Sequence, residues 1–423
     1  MQRPSPSGLD LRIDYALILP VFLLSLIGFV ALYISLSADY PTSVKSLMWQ
    51  QVAWLLVGMA AAFFVMHLDS RALWTLAPIL YGVGLVLMIL PLFIYSKDLY
   101  LSTGAKSWIG WGKTSLFEPS ELMKVAYTLF LARLIVSYRN HLKNRYLRND
   151  LELLFRMLLA TAPVIFLLIG PHMQNDFGTA LVFGAIFFGM LLVSGISWRI
   201  LGPIVVLILL GIATIVYMVF TKDGQTFLAH LGFRPYQSAR FAAWINPFSD
   251  PQGATYQQAQ SQIATATGGL FGQGTAVTNI SVPVRESDMI FTTIAGAFGF
   301  LGAAFVIFLY LYLIYRMVRA TFMANSQFYT FIASGLTMML LFHVFENIGA
   351  AIGVLPLTGI PLPFLSQGGS NLISNLIGIG LILSIKYNQT PIFDRKKTRD
   401  KYRKKLEERR ARTERSITRK EIS

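Results

Sequence analysis

Charged side chains are scarce in this chain, so those set beside long apolar runs are the ones whose placement needs a reason. In Phe117-Glu118-Pro119-Ser120-Glu121-Leu122-Met123-Lys124, Pro119 suits the first position of a helix and Glu121 complements the positive helix end. Lys124 fits less well, because a cation in the first turns opposes the dipole and must snorkel or find a partner. Glu121 and Lys124 are three residues apart and share a helical face. They form a candidate buried pair, functional or structural.

Three more constellations could carry chemistry. Asp176, in Gln174-Asn175-Asp176-Phe177-Gly178-Thr179, either caps the following helix in a tight turn or lines a substrate cavity. A long polar stretch carries Arg240 in Tyr236-Gln237-Ser238-Ala239-Arg240 and a glycine-rich run, Gly268–Gly274. The backbone N–H groups of that run would suit phosphate oxygens, although a plain flexible turn explains it equally. The stretch closes at Asp288, which either caps the next helix or takes a proton from a substrate. Beyond Glu346-Asn347, the segment Pro361–Ser370 contains Ser366, Gly368, Gly369 and Ser370 just before an apolar run. It reads as an anion site at a helix start or as a re-entrant turn packed against protein. No metal-ligand spacing, nucleophile elbow or nucleotide loop is visible.

The elements that must position these groups are membrane helices. With 54% hydrophobic and 13% charged residues among 423, the chain departs from soluble proteins, in which about a quarter of residues are charged. Apolar runs long enough to cross a bilayer core of about 30 Å fall at Asp14–Leu36, Met48–His67, Ala72–Tyr95, Pro119–Val136, Leu153–Gly170, Gly178–Ser194, Ile200–Phe220, Met289–Val318, Phe328–Ile348 and Asn371–Tyr387. The expected fold is an all-α polytopic membrane protein of about ten spans, the first retained as a span rather than cleaved. It comprises an arm (1–13), a membrane domain (14–387) with one large loop (221–287), and a basic tail (388–423). Placing the amino terminus inside puts Arg133, Arg139, Lys143, Arg145, Arg148, Arg316, Arg319 and the tail on the cytoplasmic side, as the positive-inside bias requires. The large loop, Glu121, Lys124, Asp176, Arg240, Asp288, Asn347 and Ser366 then share the outer face.

The net charge of +15 raises nucleic acid as a partner. Its distribution argues otherwise: Lys386–Ser423 holds 15 Lys/Arg against 6 Asp/Glu, a juxtamembrane cluster suited to anionic lipid. There is no cysteine, which excludes disulfide and thiol chemistry.

The order and spacing of Phe117–Lys124, Gln174–Thr179, Gly268–Gly274, Pro283–Phe291 and Asn347–Ser370 resemble the SEDS family (shape, elongation, division and sporulation) across roughly residues 14–387. The resemblance implies a peptidoglycan glycosyltransferase that polymerises lipid II at the outer leaflet. The implied partners are a class B penicillin-binding transpeptidase, lipid-linked glycan and other elongation or division proteins. The family's essential aspartate falls on Asp288, its Glu/Lys pair on Glu121 and Lys124, and its loop arginine on Arg240. Asp176, Asn347, Ser366, Gly368, Gly369 and Ser370 become substrate-cavity candidates, and a divalent cation, Mg or Mn, is a candidate cofactor. The chain departs from the family pattern at Val284 after Pro283, at Glu286-Ser287 before the aspartate, at Gly296-Ala297 where an acidic pair is common, at Ser107 in Gly104–Trp108, and at Gln367. Two other functions compete: a lipid-precursor flippase or carrier with Glu121 and Lys124 as pathway charges, and a non-catalytic scaffold for the transpeptidase. A carrier should show two pseudo-symmetric halves with interrupted helices, and none is found.

Overall fold

The computed structural model describes residues 12–389 apart from 98–99, 101–103, 112–113, 142–145, 222, 225, 228–234 and 254. Lys143, Arg145, nearly all of the amino-terminal arm and nearly all of the basic tail therefore lie outside the described residues. Ten long helices account for the ten apolar runs: α1 (Tyr15–Asp39), α2 (Val44–Met66), α3 (Ser70–Ile89), α4 (Pro119–Asn140), α5 (Leu147–Ile169), α6 (Phe177–Val193), α7 (Trp198–Phe220), α10 (Ile290–Met323), α11 (Gln327–Ala351) and α12 (Gly369–Gln389). A hairpin of β1 (Ile109–Trp111) and β2 (Thr114–Phe117) precedes α4. The large loop contributes α8 (Pro235–Ile245) and α9 (Tyr256–Thr267). The fold is all-α and polytopic.

Several helices overrun the apolar stretches that announced them. α5 begins at Leu147, six residues before its apolar run, because Arg148, Asp150, Glu152 and Arg156 can extend a helix into the polar interface without entering hydrocarbon. α2 gains Val44–Leu47 in the same way.

Alternation of the helices gives the bundle two ends of different character. One end is basic and tied by charge. Arg316 meets Asp14, with NH2 2.6 Å from both carboxylate oxygens, Lys386 donates to the Ile13 carbonyl at 3.1 Å, and Arg133 donates to the Trp74 carbonyl at 2.6 Å. The other end is polar and carries the large loop, the β-hairpin and the 352–368 connection. α4, α11 and α12 form the buried centre of the bundle. α7 is its opposite, with Val206, Leu207, Leu209, Leu210 and Tyr217 all exposed, as a helix facing lipid should be.

Loop residues satisfy the carbonyls that helix ends leave open. From α9, Gln258 donates to Ala350 O at 2.7 Å and Ser261 to Ala351 O at 2.9 Å, closing the carboxyl end of α11. α10 is broken at Gly299, whose φ of +66° and ψ of −165° suit only glycine. The backbone groups freed there are taken up by the glycine-rich run: Phe300 N–H donates to Gly269 O at 2.8 Å, Leu301 N–H to Leu270 O at 3.2 Å, and Gln273 N–H to Gly296 O at 2.9 Å. Irregular backbone next to a membrane persists only where protein pairs it in this way.

Candidate active site

The Glu121–Lys124 pair is one of two polar groupings near the polar end. α4 starts with Pro119 in its first turn, which places Glu121 and Lys124 on the face that α11 and α12 cover. Both are almost completely buried, at 2% and 1% exposure, and Lys124 Nζ lies 2.9 Å from Glu121 Oε1. Nζ also lies 3.1 Å from Nε2 of His343 on α11. His343 Nδ1 is 2.6 Å from the Met339 carbonyl, which can only accept, so Nδ1 carries the proton and Nε2 accepts from Lys124. Asn371 donates to Glu121 Oε1 at 3.4 Å, and Ser374 to the Glu121 carbonyl at 2.6 Å. Lys124 is thus anchored across three helices and has little freedom to reach a ligand. Sequence reasoning missed His343. Its signal is the i, i+3, i+4 spacing of His343, Glu346 and Asn347, three polar residues on one face of an apolar helix.

The second grouping surrounds Asp288. The segment before it, Val282–Ser287, is held from two sides. From the α1–α2 turn, Asp39 faces Arg285, with Nε at 2.8 Å and NH2 at 3.1 Å, and Tyr40 donates to Glu286 at 3.2 Å. From the 352–368 connection, Ser366 Oγ donates to Ser287 O at 2.7 Å and Gln367 N–H to Glu286 O at 2.8 Å. Asn347 holds Asp288 itself, its amide donating to Asp288 O at 2.7 Å and to Ile360 O at 2.8 Å. The Asp288 side chain is then left for chemistry. It does not cap α10, whose cap position is Met289 with no side-chain bond, and among the described residues it accepts only from the Ser287 hydroxyl at 3.0 Å.

Arg240, from α8, donates to the Thr358 carbonyl at 2.8 Å. The following residue, Gly359, has φ of +85°, and a Cβ built there would lie 3.3 Å from Asp288 Oδ2 and 3.7 Å from both terminal nitrogens of Arg240. Carboxylate and guanidinium therefore lie against one glycine. Burial pushes the Asp288 carboxyl above the ordinary range; the Ser287 hydroxyl and the Arg240 charge pull it back, while Glu286 and Asp176 push it further up. Asp176 caps α6 through Thr179 N–H at 2.9 Å and is electrostatically coupled to Lys124 and Glu121. It stands electrostatically between the two groupings.

Gly359 was not legible as a site residue beforehand, and it yields a direct test. Gly359→Ala places a methyl between Asp288 and Arg240 and strains a backbone that only glycine adopts easily. It should cost roughly 1–3 kcal/mol of stability and on the order of 10²-fold in turnover from misplacement. Comparing melting temperature with turnover separates the two effects.

The remaining candidates take supporting positions. Ser366 is buried and fixes Leu362 N–H at 2.8 Å as well as Ser287. Ser370 accepts from Glu118 N–H at 3.0 Å, Gly368 N–H donates to Gln51 at 3.3 Å, and Gly369 packs against the Trp54 ring. This connection is a re-entrant turn packed in protein. In the glycine-rich run, Gly268 and Gly272 approach the α10 backbone, with Ala295 O and Ala297 O within 2.2 Å of an added Cβ. Among the described residues no three His, Asp or Glu side chains converge as metal ligands.

Comparison with known proteins agrees with this architecture. A model of the FtsW/RodA/SpoVE family, described as cell cycle protein, matches residues 15–391. The peptidoglycan glycosyltransferase MrdB of Escherichia coli K12 is 31% identical over 347 residues, covering 80% of this chain and 85% of MrdB. A chain from a peptidoglycan synthase complex, solved to show how polymerization and crosslinking are coordinated, superposes with a TM-score of 0.69 at 29% identity, over 89% of this chain and 98% of that one. The rod shape determining protein RodA of Thermus thermophilus superposes with a TM-score of 0.61 at 28% identity, over 90% and 98%.

Proposed function

The chain belongs to the FtsW/RodA/SpoVE family and is a peptidoglycan glycosyltransferase of the membrane, and we propose that it polymerises lipid II at the outer face, with Asp288 as general base. The observation that carries the assignment is the meeting of Asp288 and Arg240 at Gly359, beside the start of α10. An acceptor sugar hydroxyl placed there gives its proton to Asp288 as its oxygen bonds to the donor's anomeric carbon. The bond from that carbon to the lipid diphosphate breaks with its electron pair. The diphosphate leaves without needing a proton, its developing charge met by Arg240. One displacement inverts an α-linked donor to a β-linked glycan, so one base suffices. Glu121 and Lys124 serve this site from below, as a pinned pair that fixes α4 against α11 and α12.

The likeness to a subunit of a peptidoglycan synthase complex supports a class B penicillin-binding transpeptidase as partner, and we place the protein in cell-wall elongation and cell shape. The deciding experiment incubates the purified protein and its transpeptidase with lipid II and resolves the glycan on a gel. Polymer that depends on this chain supports the reading, whereas none under conditions where the transpeptidase crosslinks added glycan would reject it.

Outer-leaflet chemistry requires the polar end to face outward and the basic end inward. The chain has no cysteine, so single substitutions report sidedness cleanly. A membrane-impermeant maleimide is expected to label Thr275→Cys in intact cells and to spare Asn325→Cys until the membrane is opened. The reverse pattern would place the active site in the cytoplasm.

A further inference from the structure

Glu346, on α11, is only 3% exposed, and the chemistry above makes no use of it. Its Oε1 accepts from Thr358 twice, from the backbone N–H at 3.0 Å and from the hydroxyl. The carbonyl of the same threonine accepts from Arg240, and the next residue is Gly359, against which Asp288 and Arg240 both lie. The other carboxylate oxygen, Oε2, is buried and has no hydrogen-bond partner. A lone tether to a threonine does not call for a buried carboxylate, because a neutral amide oxygen would accept the same two bonds at a lower desolvation cost. The charge needs its own explanation: two charged groups act on it, the Asp288 carboxylate and the Arg240 guanidinium, and only Arg240 attracts it.

We infer that Glu346 is a positioning residue that holds the Arg240 guanidinium beside Asp288, through Thr358 and through its own charge. Asn347, the next residue on α11, holds the Asp288 carbonyl, so adjacent side chains of one helix end fix the two halves of the site. This inference rests on the assignment of Arg240 and Asp288 to the reaction.

The test is a double-mutant cycle on lipid II polymerisation, using the full-length protein with its transpeptidase. Glu346→Ala is expected to lower turnover about 10–100-fold and Arg240→Ala at least as much. Since Glu346 acts through Arg240, the double variant should match Arg240→Ala alone rather than multiply the losses. Glu346→Gln keeps the acceptor for Thr358 and loses the charge, so it should fall between wild type and Glu346→Ala. Glu346→Ala also removes a negative charge that repels the Asp288 carboxylate, so the acid limb of its pH–rate profile should lie below that of Arg240→Ala, a separation that loss of packing alone does not produce. If Glu346→Ala does not fold, Thr358→Val replaces it in the cycle, with a loss of several-fold, about 3–10, on the wild-type background and none on Arg240→Ala. Multiplicative losses, or normal turnover in Glu346→Ala, would overturn the inference. Normal turnover in Arg240→Ala would instead remove the assignment on which it rests.

Discussion

Asp288→Asn is expected to reduce polymerisation by about 10²–10⁴-fold while leaving expression, melting temperature and transpeptidase binding unchanged. Asn preserves the shape and can still meet the Ser287 hydroxyl, but it cannot take a proton from a sugar hydroxyl. The structure removes the main alternative for this residue, since Asp288 makes no capping bond to α10. It also predicts a pH signature. Burial raises the Asp288 carboxyl above its ordinary value, and only the ionised form can act as a base. Activity should therefore fall on acidification from a pH above the ~3.9 of a free aspartate. Arg240→Ala removes an influence that holds the carboxyl down, so its acid limb should lie higher still. A scaffold protein would be indifferent to both changes. Normal polymer from Asp288→Asn would sink the catalytic assignment.

The second large effect is on stability. Lys124→Ala leaves the Glu121 carboxylate buried with only the amide of Asn371 at 3.4 Å, and Glu121→Ala leaves a buried ammonium whose remaining partner is the neutral His343. Breaking a buried pair by removing one partner costs on the order of 3–5 kcal/mol. Replacing both with apolar residues of similar volume, Glu121→Leu with Lys124→Met, should be close to neutral for folding or even stabilising. Thermal unfolding in detergent checks the contrast. Wild-type stability in Lys124→Ala would show that the pair is not held as the distances indicate, because an exposed pair contributes only about 0–1 kcal/mol. Activity in the double apolar variant would further show whether the pair serves catalysis beyond packing α4.

Much of this was readable from residue order, for physical reasons. Membrane helices declare themselves through apolar length, so all ten were found. Their ends were displaced wherever polar residues such as Arg148 and Asp150 let a helix continue past the hydrocarbon. The awkwardness of Lys124 near a helix start foretold a partner, and Glu121 was the nearest candidate on its face. His343 was harder: its spacing with Glu346 and Asn347 marks a polar face on α11, but its partner Lys124 follows only from α11 packing across α4, a long-range contact. Gly359 and Thr358 were hidden for the same reason: a glycine between a threonine and an isoleucine says nothing of which side chains will lie against it. The glycine-rich run left two readings open, a phosphate cradle and a plain turn. Its composition suits phosphate, but its close approach is to the α10 backbone, which only the three-dimensional arrangement could reveal.

The interruption of α10 at Gly299 separates two mechanical tasks. The leg from Phe300 to Met323 is 24 residues, about 36 Å at 1.5 Å per residue, long enough to span the hydrocarbon and to tilt as bilayer thickness changes. The short stub from Ile290 to Phe298, which follows Asp288, packs on α9, and the glycine-rich run clasps both sides of the break, through Gly296 O and through the N–H groups of Phe300 and Leu301. The Tyr310 hydroxyl on the long leg also donates to the Pro363 carbonyl, in the connection that holds the segment before Asp288, so leg and carboxylate are joined. Tilt that bilayer thickness imposes on the leg is thus carried toward Asp288, and turnover in vesicles of graded acyl length is expected to vary with thickness.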